Sequence, residues 1–240
     1  MSIIEWGKNE TVAVIKLNNG ENRQNLEFAQ TFNRVLDEIV EDKNITAAVI
    51  TSTDPKSWSL GVDVEWLMKQ FTEQNFDNIK NFMYEMNTVF KKLLLLPIPV
   101  IAAINGHAFG NGAILSCACD FRFMKSDRGY FCFPEVDLGI PFLPGMVAFV
   151  RKAIPEYKFN EMKLTGKKAG AVELAKNHVI EKACADADDL LSESLLFAKT
   201  FNKKRGIFGE HKKRMHKQII QVIDTEDKAF IEPVALMISD

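Results

Sequence analysis

Pro99-Val100-Ile101-Ala102-Ala103-Ile104-Asn105-Gly106-His107-Ala108-Phe109-Gly110-Asn111-Gly112 is the stretch that decides the fold. Residues 100–104 are apolar without interruption, which reads as a strand covered on both faces. Three glycines and two asparagines then punctuate its exit. Glycine at such a point signals positive φ or a close approach of backbone or ligand. The spacing G-x-x-x-G-x-G is not the dinucleotide G-x-G-x-x-G, and no Lys follows as in a P-loop, so a nucleotide-phosphate cradle does not fit. A tight strand-to-helix crossing held by packing is the structural alternative.

Working upstream, residues 93–104 form the longest apolar run. It is too short to span a bilayer and is broken by Pro97 and Pro99. Residues 76–96 read as a long helix that Pro97 stops. Residues 47–51 are a second short buried strand. After it comes another turn, Ser57-Trp58-Ser59-Leu60-Gly61-Val62-Asp63, leading toward a helix that begins near Asp63. Residues 26–39 carry helical spacing, and residues 3–6 and 12–17 read as two strands joined by a polar turn. Downstream, 112–118 is predicted helical, and 121–124 and 130–133 are predicted strands. After Leu143 helical patterns dominate. Alternating strands and helices followed by helices say α/β, with a core over 1–190 and a helical extension over 191–240. No sequence repeat or low-complexity segment stands out.

The chain has 240 residues, 47% hydrophobic and 26% charged, with a formal net charge of −2. Such a balance gives no general pull toward nucleic acid or an anionic membrane. The start, Met1-Ser2-Ile3-Ile4-Glu5-Trp6, enters a strand pattern at once and does not resemble a signal peptide. Cys117, Cys119, Cys132 and Cys184 are therefore expected as free thiols in a reducing, cytoplasmic setting. Cys117 and Cys119 form C-x-C with no answering pair, so no metal site is expected.

The candidate acid is Glu135, in Phe133-Pro134-Glu135-Val136-Asp137-Leu138-Gly139. Its apolar neighbours, Phe131, Phe133, Val136, Leu138 and Ile140, point to at least one desolvated carboxylate among Glu135 and Asp137. Desolvation raises a carboxyl pKa and suits it to proton transfer. A solvated charged pair of Glu135 and Asp137 is the plainer reading. Backbone N–H groups at the two glycine turns, each opening a helix, are free to donate to an oxygen. His107, in an apolar context without a Ser or Cys nucleophile, reads as structural. Asp120 reads as a backbone-bonding residue at a strand start. The basic run His211-Lys212-Lys213-Arg214 reads as a solvated helical face, with a phosphorylated ligand or a neighbouring subunit as a subsidiary reading.

The order of these motifs resembles the crotonase family, the enoyl-CoA hydratase and isomerase superfamily, from the N-terminal strands to about Glu181. Ser59-Leu60-Gly61-Val62-Asp63 is similar to the family's S-x-G-x-D turn. Residues 99–106, with Gly110-Asn111-Gly112 and Cys119-Asp120-Phe121-Arg122, are the most specific match. Pro134-Glu135 with Gly139 falls where the family carries a catalytic acid, and Leu164-Thr165-Gly166 is a weaker later match. The resemblance implies a spiral of ββα units with a C-terminal helical region, assembled as a homotrimer or a dimer of trimers. It implies an acyl-CoA substrate, no separate cofactor, and an oxyanion hole made by the N–H groups of Leu60 and Asn111. Ser59, Leu60, Gly61, Val62, Asp63, Gly110 and Asn111 would line the CoA path, and Arg23 or Lys56 would meet its phosphates.

Two departures from the family pattern carry weight. Hydratases of the family use a second glutamate two residues after the glycine turn, where this chain has Ile114. One glutamate is enough to take a proton from one carbon and return it to another, which resembles the Δ3,Δ2-enoyl-CoA isomerases. Asn111 stands where many relatives have Gly, and asparagine tolerates a left-handed conformation there. The expected reaction is therefore conversion of a 3-enoyl-CoA to the trans-2-enoyl-CoA by Glu135. Hydration, or thioester binding without turnover, are the alternatives.

Overall fold

The computed structural model describes residues 2–238. β1 (Ile4–Asn9) and β2 (Val12–Leu17) form an antiparallel hairpin, Ile4 opposite Leu17. α1 (Leu26–Glu41) starts at Asn25, whose side chain accepts a hydrogen bond from the Phe28 amide. β3 (Ala47–Ser52) and β4 (Ser57–Ser59) follow, then α2 (Val64–Thr72) and α3 (Phe76–Leu95). β5 (Val100–Ile104), β6 (His107–Phe109) and α4 (Asn111–Ala118) come next, then β7 (Phe121–Lys125), β8 (Phe131–Cys132) and α5 (Glu135–Leu138). The remainder is α6 (Pro144–Ala153), α7 (Glu156–Thr165), α8 (Ala171–Lys176), β9 (Lys182–Cys184), α9 (Ala187–Lys199), α10 (Arg205–Thr225) and α11 (Lys228–Ile231).

Two sheets organise these elements. The larger has the order β1-β2-β3-β5-β7-β9 and is parallel from β2 onward. The smaller, β4-β6-β8, is parallel throughout. Three times in succession the chain runs through a strand of the large sheet, a strand of the small sheet and a helix: β3-β4-α2, β5-β6-α4 and β7-β8-α5. This is the ββα spiral that the sequence resemblance implied. The repeat has no counterpart in the residues themselves, which share no periodic pattern.

The large sheet is covered on both faces, as its uninterrupted apolar strands required. Ala48, Ile50, Val100, Ala102 and Ile104 face the main core with α1, α3, α4 and α6. Val49, Ile101, Ala103 and Phe123 face the other way, onto Leu190 and Ala198 of α9. The boundary expected at 190/191 therefore falls inside a helix that packs on the sheet. β9 is a further difference from the helical reading after Leu143. Its three residues carry no apolar run and form a strand because the edge of β7 offers unpaired backbone groups. All four cysteines are free and buried.

The basic run on α10 is not uniformly solvated. Lys212 is 4% exposed and donates to the Asp120 carboxylate at 2.7 Å and to the Leu93 carbonyl at 3.0 Å. Asp120 also accepts from the Val100 amide, as expected of a backbone-bonding residue. α10 is thus tied to the start of β5. Removing one partner of a buried ion pair leaves an uncompensated charge. Lys212→Met should lower unfolding free energy by about 3–5 kcal/mol in a urea titration. The double variant Asp120→Asn, Lys212→Met should recover part of that loss.

Candidate active site

The first turn leaves β4 at Ser59. The Ser59 hydroxyl donates to the Asn22 carbonyl at 2.7 Å and accepts from the Gln24 side-chain amide at 3.1 Å and the Gly61 N–H at 3.3 Å. Residues 21–24 run alongside as a short parallel partner. The Leu60 amide donates to the Glu21 carbonyl at 3.0 Å, the Gln24 amide to Gly61 at 2.8 Å, and the Asp63 amide to Gln24 at 2.9 Å. A regular strand would aim the amides of Leu60 and Val62 the same way. Gly61, at φ +79°, breaks that alternation. Among the described residues the Val62 N–H has no hydrogen-bond partner. Asp63 then caps α2, its carboxylate accepting from the Trp66 amide.

This geometry corrects the expected donor. Leu60 has its N–H committed to a backbone carbonyl, so the free amide of this turn belongs to Val62. Ser59 is also displaced from the expected path. It is fully buried and its hydroxyl is used within the protein.

The second turn leaves β6 at Phe109. Gly110 takes φ +53° and ψ −126°, and its amide donates to the Cys132 carbonyl. α4 starts at once, its first internal bond running from Ile114 back to Gly110. The amides of Asn111, Gly112 and Ala113 therefore have no intrahelical partner. The left-handed residue is Gly110; Asn111 has negative φ at the first helical position, so its tolerance of left-handed backbone is not called on. Its side chain has a different task. It donates to Gln24 at 2.6 Å, and Gln24 donates onward to Ser59. One buried chain of side chains thereby ties the second turn to the first.

The two turns touch. A Cβ placed on Gly61 would lie 2.7 Å from the Phe109 carbonyl and 2.9 Å from the Asn111 amide, and one on Gly112 would collide with the Ser59 carbonyl. The third segment is α5, which Glu135 opens after Pro134. The Glu135 carboxylate oxygen Oε1 lies 3.2 Å from where a Gly110 Cβ would stand. The other oxygen is buried without a partner, and the residue is 7% exposed. Burial drives its pKa up from 4.5 to about 7, opposed by its own backbone N–H and by the charge of Lys163. Asp137 is exposed on the outer side of α5, against Gly166. Ile114, one turn into α4, is buried in the main core.

The expected phosphate contacts are less central. Arg23 pairs with Glu21 on the surface beside the first turn, at 2.9 Å. Lys56 is exposed and precedes β4, so it lies about three strand residues, roughly 10 Å, from the turn at the other end. His107 is the structural histidine expected, accepting at Nδ1 from the Tyr130 amide. Gln24 and Lys163 are the residues that the sequence reading missed. Gln24 has no local signal, and Lys163 sits among other lysines of a helix.

Comparison with known proteins fits this arrangement. The family model described as enoyl-CoA hydratase/isomerase matches residues 7–232, and the chain belongs to that family. A peroxisomal enoyl-CoA delta isomerase 2 from Arabidopsis thaliana is 28% identical over 220 residues, 89% of this chain and 92% of the relative. A short-chain-enoyl-CoA hydratase from Clostridium acetobutylicum is 35% identical over 135 residues, 55% of this chain and 50% of the relative. Among solved structures, an enoyl-CoA hydratase from Bacillus halodurans superposes with a TM-score of 0.86 at 18% identity, over 96% of this chain and 94% of that one. The crotonase-like fold is thus established, with relatives named for both reactions. No helix among the described residues is long and apolar enough to cross a membrane.

A carboxyl group whose pKa is raised in the fold favours folding below its unfolded value and loses that contribution as pH rises through the folded value. For Glu135 the window runs from 4.5 to about 7. Above it, the ionised group opposes folding by at most about 3 kcal/mol. Glu135→Gln should therefore stabilise the protein at pH 8 and leave stability near pH 4 unchanged, as measured by urea unfolding at both pH values.

Proposed function

We propose that this member of the enoyl-CoA hydratase/isomerase family is a Δ3,Δ2-enoyl-CoA isomerase that uses one carboxylate as proton carrier. The observation that carries the reading is the pairing of Glu135 with Ile114. A buried carboxyl group borders the two glycine turns, and the position from which a second glutamate would reach the substrate is apolar. Water addition calls for two groups, one for the water and one for the α-carbon proton. Moving an alkene calls for one.

In this mechanism the thioester oxygen accepts from the amides of Val62 and Asn111. The dipole of α4 adds to the positive field there. Ionised Glu135 removes a proton from C2, and the C2–H electrons form the C1–C2 double bond of a dienolate in conjugation with the C3–C4 alkene. Negative charge collects on the thioester oxygen. The protonated Glu135 then gives the same proton to C4 as the carbonyl re-forms, leaving the trans-2-enoyl-CoA. No electron is gained or lost and no other reactant enters. Each backbone donor is worth about 3–4 kcal/mol in the transition state. A pKa near 7 suits a group that must both take and return a proton at neutral pH. CoA would run past Gly61, Val62 and Asp63, with Arg23 as the nearer cation for its phosphates. A homotrimer or a dimer of trimers remains the proposed assembly.

Purified protein given 3-enoyl-CoA should yield trans-2-enoyl-CoA as the main product, with kcat/KM rising through pH 7 as Glu135 ionises. Glu135→Gln should lower that rate by roughly 100- to 10,000-fold while acyl-CoA binding persists. Near-normal isomerisation by the variant, or 3-hydroxyacyl-CoA as the main product of the native protein, would reject the assignment.

A further inference from the structure

Lys163 stands in the last turn of α7, half-buried, with its ammonium 3.8 Å above the centre of the Phe142 ring. Lys158 on the same helix and Lys167 just beyond it share the carboxylates of Glu161 and Glu173. Lys163 does not join them. Among the described residues it has no carboxylate within 4.0 Å and no hydrogen-bond acceptor. Phe142 meets Phe133 edge to face at 5.3 Å, and Phe133 meets Phe131 at 5.4 Å. This aromatic ladder runs into Pro134 and Glu135. The end of α7 also packs on α5: Gly166 lies against Asp137, and the Cys132 thiol donates to the Gly166 carbonyl at 3.1 Å.

From this placement we infer that Lys163 is a positioning residue for Glu135, a fixed cation that favours the ionised carboxylate against its apolar surround. The inference deepens the isomerase reading and rests on it only where rates are concerned. Desolvation favours the neutral carboxyl, and a nearby opposite charge works against that. A direct ion pair would do so more strongly, but it would occupy an oxygen that has to accept and release a proton. A lysine held on an aromatic face acts through space and leaves the oxygen free, as the unpartnered Glu135 Oε2 shows. The field of Lys163 is felt by Glu135 against the penalty of burial, and Lys163 is itself pulled below the usual lysine range by burial. The other ionisable groups on the elements around Glu135 are exposed Asp137 on α5, the buried Cys132 thiol on β8, and Lys168 beyond α7. The start of α4 adds a partial positive charge from the Gly110 side.

The test titrates the Glu135 carboxyl directly, by carbon NMR of full-length protein labelled at glutamate side chains, with Glu135→Gln to assign the signal. Lys163→Met and Lys163→Gln should raise its midpoint by more than about 0.3 pH unit. Lys163→Arg should keep it within about 0.3 unit of the native value. The acid limb of kcat/KM for isomerisation should move with the midpoint. An unchanged midpoint in both neutral variants, or an arginine variant that shifts as far as they do, would overturn the inference. A shifted midpoint in a protein that isomerises no 3-enoyl-CoA would leave the role of Lys163 standing and remove the isomerase reading.

Discussion

Parallel pairing of three very short strands is the constraint on which the site depends. β4, β6 and β8 each hand the chain to a helix at the same end. Their register sets Ser59 beside Ala108 and Phe109 beside Cys132. The turn at Leu60–Asp63, the turn at Gly110 and the start of α5 thereby become neighbours, although more than seventy residues separate the first from the last. Parallel strands need long crossovers, and here the large sheet supplies them through β5 and β7. A slip of one residue in β6 would part the Asn111 amide from Val62 and Gly110 from Glu135 together.

Close approach then sets the residue types. At Gly61 and Gly112 a side chain would run into the backbone of the facing turn, and at Gly110 it would crowd the carboxylate. Asn22, Gln24, Ser59 and Asn111 weld the turns with buried hydrogen bonds. Almost every buried polar side chain is satisfied in this way, which makes the exceptions informative. Glu135 Oε2 and Asn111 Oδ1 are two of the five unpartnered buried side-chain atoms among the described residues, and the free Val62 amide belongs to the same junction. Unmet polar capacity gathered at one point, with a carboxyl group that burial penalises, is the pattern expected where a fold trades stability for binding and proton transfer.

The sequence made the large sheet legible because its strands are short apolar runs bounded by turn residues. It made the site's three segments legible because glycine and proline mark them. It did not disclose which amide is free. That depends on residues 21–24 lying beside the first turn, a tertiary contact with no local signature, so the sequence reading assigns the donor to Leu60 instead of Val62. Burial of Lys212 was hidden for a related reason: its partner Asp120 is 92 residues away, and a lone lysine in a basic run looks solvated. β9 owes its conformation to the edge it joins rather than to its own three residues. Lys163 looks like its neighbours Lys158 and Lys167 until their carboxylates are counted.

The apolar interior of α4 bears on what one carboxyl group can do. All eight residues of this helix are buried, and Ile114 lies against the core. A carboxylate at that position would have to be desolvated within this helix and so would need a partner of its own. A proton that Glu135 takes has few places to go. The residue is 7% exposed and its inner oxygen has no hydrogen-bond partner among the described protein groups. Under the proposed mechanism, return to the bound carbon chain would be favoured over exchange with solvent. In the proposed isomerisation, the seclusion that makes the carboxyl group costly to ionise would also keep the proton within the site long enough to be moved two carbons along.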